Sequence, residues 1–379
     1  MGEVAKPGKY TFQIDEESSK SDWVYCSTSL GINCGEECGY VYANAMGGYG
    51  KDRENKIFVH GKDENGRDDF KNQFTVDWDD RDDQSILDTI GNQCFYRAGL
   101  KKDSDGKTVT EYFLSAYDLI KYLKENLEEG MKVSVNGNLK YQFRNGNVQV
   151  QKEIRSVYLA DYVESQNDYE ATFRQTILFD KDCLDIKDYD TDKGVLNIPG
   201  YCVDYLRDYN GKEVKSNYPF KVNFEYKINN KAENFAKVVN MLFKVKKGVD
   251  EIVFNGKLVE GGAVVQATYD DLDDDIKKMV DVGIIPLEEA VSKCSVSSSR
   301  ERRMVLTTPN IRAKTQEDGT TVNTLEIERN KYEEEDLEFV LPSEDEETEE
   351  ESQEMKTVEP ISEEEDGDLA AILAGLGAE

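Results

Sequence analysis

Apolar and polar residues alternate along most of this chain, in short runs separated by clusters of Gly, Asn and Asp. A two-residue period marks half-buried strands, so the chain reads as mainly β with some helix. Trp23-Val24-Tyr25-Cys26 opens an apolar stretch that leads to Gly47-Gly48-Tyr49-Gly50, a glycine run expected to form a mobile loop. Residues 56–60 and 72–78 alternate on either side of a polar turn at 63–67. Residues 94–97 and 108–113 flank the turn Asp103-Ser104-Asp105-Gly106 as a hairpin. Further strands are expected at 172–179, 220–226 and 304–307. Helical spacing interrupts this pattern. Leu119, Ile120, Leu123 and Leu127 predict a helix over 115–129, stopped by Gly130. Other helices are expected at 83–91, from Phe235 through Phe243, and over 270–291.

After the 115–129 helix, residues 131–143 and 148–159 alternate on either side of Arg144-Asn145-Gly146-Asn147, a long hairpin on an Asn-Gly turn. Val133, Val135, Leu139, Tyr141 and Phe143 fall on one face, with Lys140, Gln142 and Arg144 on the other. The pattern then recurs. Val133-Ser134-Val135-Asn136-Gly137-Asn138-Leu139 and Ile252-Val253-Phe254-Asn255-Gly256-Lys257-Leu258 share apolar-x-apolar-Asn-Gly-x-Leu. Each follows a helical run ending in Gly130 or Gly248. Each precedes a second apolar segment, 148–150 or 264–268. A repeat of this kind points to duplicated domains.

Charge changes the picture at the C-terminal end. Residues 333–379 hold 20 Asp/Glu and one basic residue, Lys356, and so carry 19 of the chain's 31 net negative charges. The remaining 12 fall on residues 1–332, so any nucleic-acid surface has to be a local basic groove. Dense like charge resists collapse, and the tail is expected to be disordered. It ends in an apolar tip, where Leu369, Ile372, Leu373 and Leu376 share one face of a short helix. No segment approaches a membrane span, and no leader-like apolar core is present near Met1. Seven cysteines without a leader suit free thiols in a reducing, cytoplasmic setting.

Catalytic chemistry is sparse. His60 is the one histidine, and Cys34 with Cys38 lacks the second ligand pair a structural zinc needs. Phosphate-cradling glycine motifs are missing. The runs at 79–83 and 270–275 supply aspartates a metal-dependent nuclease could use, although such runs are usually solvated. Binding is better served. Single-strand binding needs rings for bases and Lys/Arg for phosphates, interleaved on strands. Lys140, Tyr141, Phe143 and Arg144 offer both at one hairpin end, and Tyr96, Arg97, Lys101 and Lys102 at another. Lys244, Lys246 and Lys247 precede the repeated strand, and Arg300, Arg302 and Arg303 enter the 304–307 strand.

The hairpin from Gly130, with Gly130-x-x-Val133-x-Val135-x-Gly137, resembles that of bacterial and phage single-stranded DNA-binding proteins. The acidic tail with its small apolar tip is similar to theirs, without their usual terminal Phe. The resemblance implies five-stranded oligonucleotide-binding (OB) barrels. It also implies a tail that competes with DNA and a tip that docks replication and recombination proteins.

The expectation is two tandem OB-type β-barrels over 22–165 and 166–312. A flexible arm over 1–21 precedes them. A connector over 313–332 and a disordered tail over 333–379 follow. The expected function is sequence-tolerant single-stranded DNA binding without catalysis, metal or cofactor, in a bacterial host's cytoplasm if the chain is phage-encoded. An acidic adaptor with protein-binding barrels and a metal nuclease are the alternatives.

Overall fold

The computed structural model describes residues 1–62, 68–162, 165, 168–185, 187, 189–190, 194–227, 232–261, 272, 274–281, 286, 302–315 and 319–342. Two units separate: Met1–Arg207 with Lys215–Phe339, and Asp208–Val214 with Val340–Glu379. The smaller unit includes a hairpin turn in which Asn210 and Gly211 both take positive φ. The larger is mainly β and contains two successive sheets.

The first sheet and its helices run β1 (Gly2–Val4), β2 (Phe12–Glu17), β3 (Trp23–Asn33), α1 (Gly35–Cys38), β4 (Tyr40–Gly50), β5 (Lys56–Lys62), β6 (Asp68–Asp77), α2 (Gln84–Ile90), β7 (Tyr96–Lys102), β8 (Thr108–Phe113), α3 (Ala116–Asn126), β9 (Lys132–Arg144) and β10 (Asn147–Leu159). Its order is β2-β3-β1-β9-β10-β7-β8. β4 pairs along β3 and meets β10 through a parallel bridge between Asn44 and Glu153. The β9–β10 turn puts Asn145 at φ 51 and Gly146 at φ 75, the left-handed pair a two-residue hairpin loop requires. Ser115 caps α3 by accepting the Tyr117 N–H, and Leu119, Ile120 and Leu123 bury its inner face completely. β5 and β6 form a separate ribbon whose Val59 and Val76 pack on Leu87 and Ile90 of α2.

The second sheet has seven strands, five of which close into a barrel. The chain here runs β11 (Thr172–Phe179), β12 (Tyr189–Asp190), β13 (Val195–Tyr209), β14 (Lys212–Lys227), α4 (Ala232–Phe243), β15 (Val249–Glu260), α5 (Asp274–Asp281), β16 (Arg302–Pro309), β17 (Ile311–Thr315), β18 (Thr321–Leu325) and β19 (Ile327–Tyr332), with β17 and β18 paired as a separate ribbon. The circuit runs β11-β13-β14-β16-β15 and back to β11, with β14 and β16 parallel. Phe243, at the end of α4, stacks on Phe254 at 5.6 Å and meets Phe179 edge-on, so the helix end plugs the barrel. The two sheets meet through charged and polar contacts. Lys152 of β10 pairs with the buried Glu260 of β15, whose second oxygen accepts the Tyr42 N–H at 3.1 Å. Lys257 pairs with Glu37, and the Ala171 N–H donates to the Cys38 sulfur at 3.4 Å.

The repeated Asn-Gly has a structural cause. In β9, Asn136 pairs with Ser156 and Gly137 with Ile154, so Arg155 is an extra residue on β10. In β15, Asn255 pairs with Thr308 and Gly256 with Leu306, so Thr307 is extra on β16. Both Asn-Gly pairs therefore lie opposite a β-bulge in the following paired strand. A Cβ on Gly137 would overlap the Glu153 carbonyl oxygen, and one on Gly256 would stand 2.6 Å from that of Val305. Glycine lets the bulged strand press in, and the bulge sharpens the local bend.

Several expectations need correction. Residues 1–21 are not a loose arm: β1 inserts between β3 and β9, and β2 extends the sheet along β3. Gly47-Gly48-Tyr49-Gly50 is the paired end of β4, where small residues let Tyr25 and the start of α3 lie against the backbone. The connector 313–332 holds β18 and β19, and β19 pairs with β15. The partner that follows β15 in the repeat is β16, while 264–268 lies outside the described residues. Residues 333–339 belong to the larger unit: Lys181 pairs with Glu334 at 2.7 Å and Phe339 packs on Tyr218 at 5.1 Å.

Gly137→Ala and Gly256→Ala should each destabilise the protein by about 1–3 kcal/mol or more, because a methyl is forced into a filled site. Gly8→Ala, where the nearest atom is the Thr11 hydroxyl at 3.9 Å, should be neutral. Thermal unfolding of the three variants checks this. Equal melting temperatures would remove the role given to the bulges.

Candidate nucleic-acid interface

Strand alternation builds one wall of a groove on the first sheet. Val59 and Val76 turn toward α2, so Lys56, Phe58 and His60 of β5 face the other way. All three line the groove, and Phe58 is 56% exposed. Trp23 at the start of β3 and Gly48 near the end of β4 form the opposite side. Phe95 lies beside the start of β7, followed by Tyr96 and Arg97. The groove has two chambers of about 700 and 940 Å³ that share Trp23, Gly48 and Phe95. Trp78 lines the larger one, held by Arg81, whose guanidinium lies 4.3 Å over its ring. Arg81 is itself fixed by two hydrogen bonds to Asp118, at 2.9 and 3.1 Å.

Rings and cations interleave along this surface. The Arg53 guanidinium lies 5.7 Å over Trp23, and that of Arg155 lies 5.0 Å over Tyr96. Burial pushes the Tyr96 phenol above its ordinary pKa, so the ring stays neutral. The positive charge is tempered. Arg53 meets Asp22 at 3.5 Å, Lys56 meets Glu54 at 3.0 Å, and Arg155 meets Glu153 at 2.9 Å. A groove of this kind offers flat apolar faces first and net charge second.

Of the residues singled out in the sequence, Tyr96 and Arg97 line the groove. Lys101 lies over Tyr122 at 5.6 Å and Lys102 pairs with Asp161, both away from its lining. Lys140 bonds Asp204 at 3.1 Å. Tyr141 is only 4% exposed, with its ring 6.1 Å from that of Phe220. This corrects its assignment as a stacking platform: neither face is open to a base, and burial drives the phenol pKa far up. Phe143 packs against Tyr218 and Phe220, at 5.4 and 5.3 Å, so it too joins the two sheets. Arg144 is exposed at the hairpin tip. Lys244, Lys246 and Lys247 are exposed between α4 and β15. Arg302 is exposed, with Glu260 3.9 Å away, and Arg303 bonds Glu225 at 3.1 Å. Arg300 and the tip residues Leu369, Ile372, Leu373 and Leu376 lie outside the described residues.

Asp79 and Asp80 are exposed on a short 3-10 turn, and 270, 271 and 273 lie outside the described residues. Among the described residues, no group of three or more His, Cys, Asp or Glu is arranged to hold a metal ion. No described helix is long and apolar enough to cross a membrane. No family model matches the chain, and no curated protein matches it.

Trp23, Arg53, Phe58, Phe95 and Arg155 were not legible as site residues in the sequence. Lys56-x-Phe58-x-His60 carried a usable signal, since alternate residues of a strand share a face. Arg155 carried none, because its direction depends on the bulge.

Tyr141→Ala should lower stability by about 3–5 kcal/mol, as loss of a large buried ring does, and leave affinity per folded molecule unchanged. Tyr141→Phe should cost far less, since it keeps the buried ring and removes only the hydroxyl's contact with Cys202. Denaturant unfolding beside a binding titration separates these effects. Loss of binding in a fully folded Tyr141→Ala protein would restore the ring to the interface.

Proposed function

We propose that this chain binds single-stranded DNA through two tandem OB-type barrels, with replication or recombination as the setting that exposes such strands. The observation that carries the reading is the groove, in which Trp23, Phe58, Phe95 and Tyr96 alternate with Arg53, Lys56, Arg97 and Arg155. Base stacking on such rings tolerates sequence, because every base has a flat face. The second barrel supports the fold half of the reading: its circuit visits strands one, two, three, five and four in turn, with a helix between three and four. In the first sheet, β3, β4, β9 and β10 with the inserted β1 trace a comparable circuit, also with a helix before its fourth strand. The acidic stretch 343–379 acts as a tethered polyanion that competes with DNA, and its apolar tip recruits partner proteins. A protein-binding adaptor is the second reading. It is favoured by the acid paired with each of Arg53, Lys56 and Arg155.

Trp23 and Trp78 are the chain's two tryptophans, and both line the groove. Oligo-dT should therefore quench the intrinsic fluorescence, and duplex of equal length should do so far less. Trp23→Ala should cost about 1–3 kcal/mol of binding, the usual worth of one stacked base. With three or four cations on phosphate, log K should fall against log salt with a slope of roughly −2 to −3. Absence of quenching with any single strand would favour the adaptor.

Removing 343–379 should tighten oligo-dT binding, most at low salt, where screening is weakest. Attachment within one chain gives a charged segment an effective concentration of about millimolar. Removing 369–379 alone should leave DNA affinity intact and abolish co-purification of partner proteins. Unchanged affinity without the whole tail would refute the competition.

A further inference from the structure

The smaller chamber of the groove contains a cation whose bonding is incomplete. Arg155 is the extra residue of the β10 bulge, and bulges re-aim side chains beside functional sites. Its guanidinium lies over Tyr96, so one of its flat faces is occupied and its edge remains to be presented. A guanidinium has five N–H donors. Among the described residues Arg155 makes one hydrogen bond, from Nη2 to Glu153 Oε2 at 2.9 Å. Its Nε is sealed from solvent without a partner, while the side chain as a whole is one-third exposed. The corresponding extra residue of the second barrel is Thr307, whose hydroxyl donates to the Asn255 carbonyl at 2.9 Å and so is satisfied locally. The two bulges are alike, and only the first leaves donors unused.

The chamber around Arg155 is about 700 Å³ and is walled by Trp23, Phe95 and Tyr96, with Asn138 also in its lining. That volume is ample for one nucleotide, and the walls suit a flat ring. A donor-only group set edge-on beside such a ring selects a base with adjacent acceptors. Guanine presents two, O6 and N7. Adenine sets a donor beside its N7, and cytosine sets a donor on the same edge. Glu153 is a positioning residue here, since it holds one end of the guanidinium.

We infer that the chamber is a guanine-preferring nucleobase pocket, read by Arg155 within an otherwise sequence-tolerant groove. The inference rests on the single-strand reading and refines it.

The test uses the full chain and three short oligonucleotides measured by tryptophan quenching: oligo-dT, the same strand with one central dG, and that strand with 7-deazaguanine, which lacks the N7 acceptor. The dG strand should bind roughly fivefold or more tighter than oligo-dT, the low end for one good base-edge contact. The 7-deaza strand should lose most of that gain. Arg155→Lys, checked for folding by circular dichroism, should bring the dG-to-dT ratio close to one. Equal binding of dT and dG strands by the unaltered protein would overturn the pocket and leave the single-strand reading standing. A dG preference that survives both 7-deazaguanine and Arg155→Lys would also overturn it. No binding of any strand would overturn both.

Discussion

The structure depends on how closely strands can approach at two glycines. β9 and β15 each pair on both sides, and each must bend to do so. The bend comes where a bulged neighbour presses its carbonyl onto Gly137 or onto Gly256. Any side chain there would hold the strands apart and flatten the sheet. The same contact pushes one residue out of register on the neighbour. In the second barrel that residue is Thr307, and its hydroxyl is absorbed by the backbone. In the first it is Arg155, and its charge goes to the groove. One backbone device thus recurs in both sheets, and in the first it turns a charged side chain into the groove lining.

Charge explains why rings rather than cations dominate the groove. A chain with a net charge of −31 pays for any broad basic surface with strong local pairing. Arg53, Lys56 and Arg155 each have a carboxylate close by. Their net positive charge is correspondingly reduced, while the guanidinium planes of Arg53 and Arg155 still lie over Trp23 and Tyr96. Stacking on neutral rings does not suffer this cancellation. The aromatic residues at the β9 hairpin end serve packing instead. Tyr141, Phe143, Tyr218 and Phe220 form a continuous cluster between the two sheets, joined by Phe339 where the acidic stretch begins.

Local pattern determined much of the architecture. Period-two alternation located β5, β9, β10 and β11, since each has one face turned to a core. Leu119, Ile120, Leu123 and Leu127 at helical spacing located α3, and a run ending at Gly91 located α2. The shared apolar-x-apolar-Asn-Gly-x-Leu marked two equivalent strands, because the same close contact demands the same glycine twice. Sequence also picked out Tyr96 and Arg97, as a ring and a cation adjacent on a strand. What it could not determine was which neighbour each strand faced. Residues 1–21 read as an arm because their partners, β3 and β9, are remote in sequence. Tyr141 read as a platform because nothing local reveals Phe220 lying over it. Trp23, Phe58, Phe95 and Arg155 line one groove only because β3, β5, β10 and the segment before β7 fold together. Alternation is set by backbone geometry within one strand and so is written locally, whereas exposure is set by what another strand covers and is decided only by the tertiary structure.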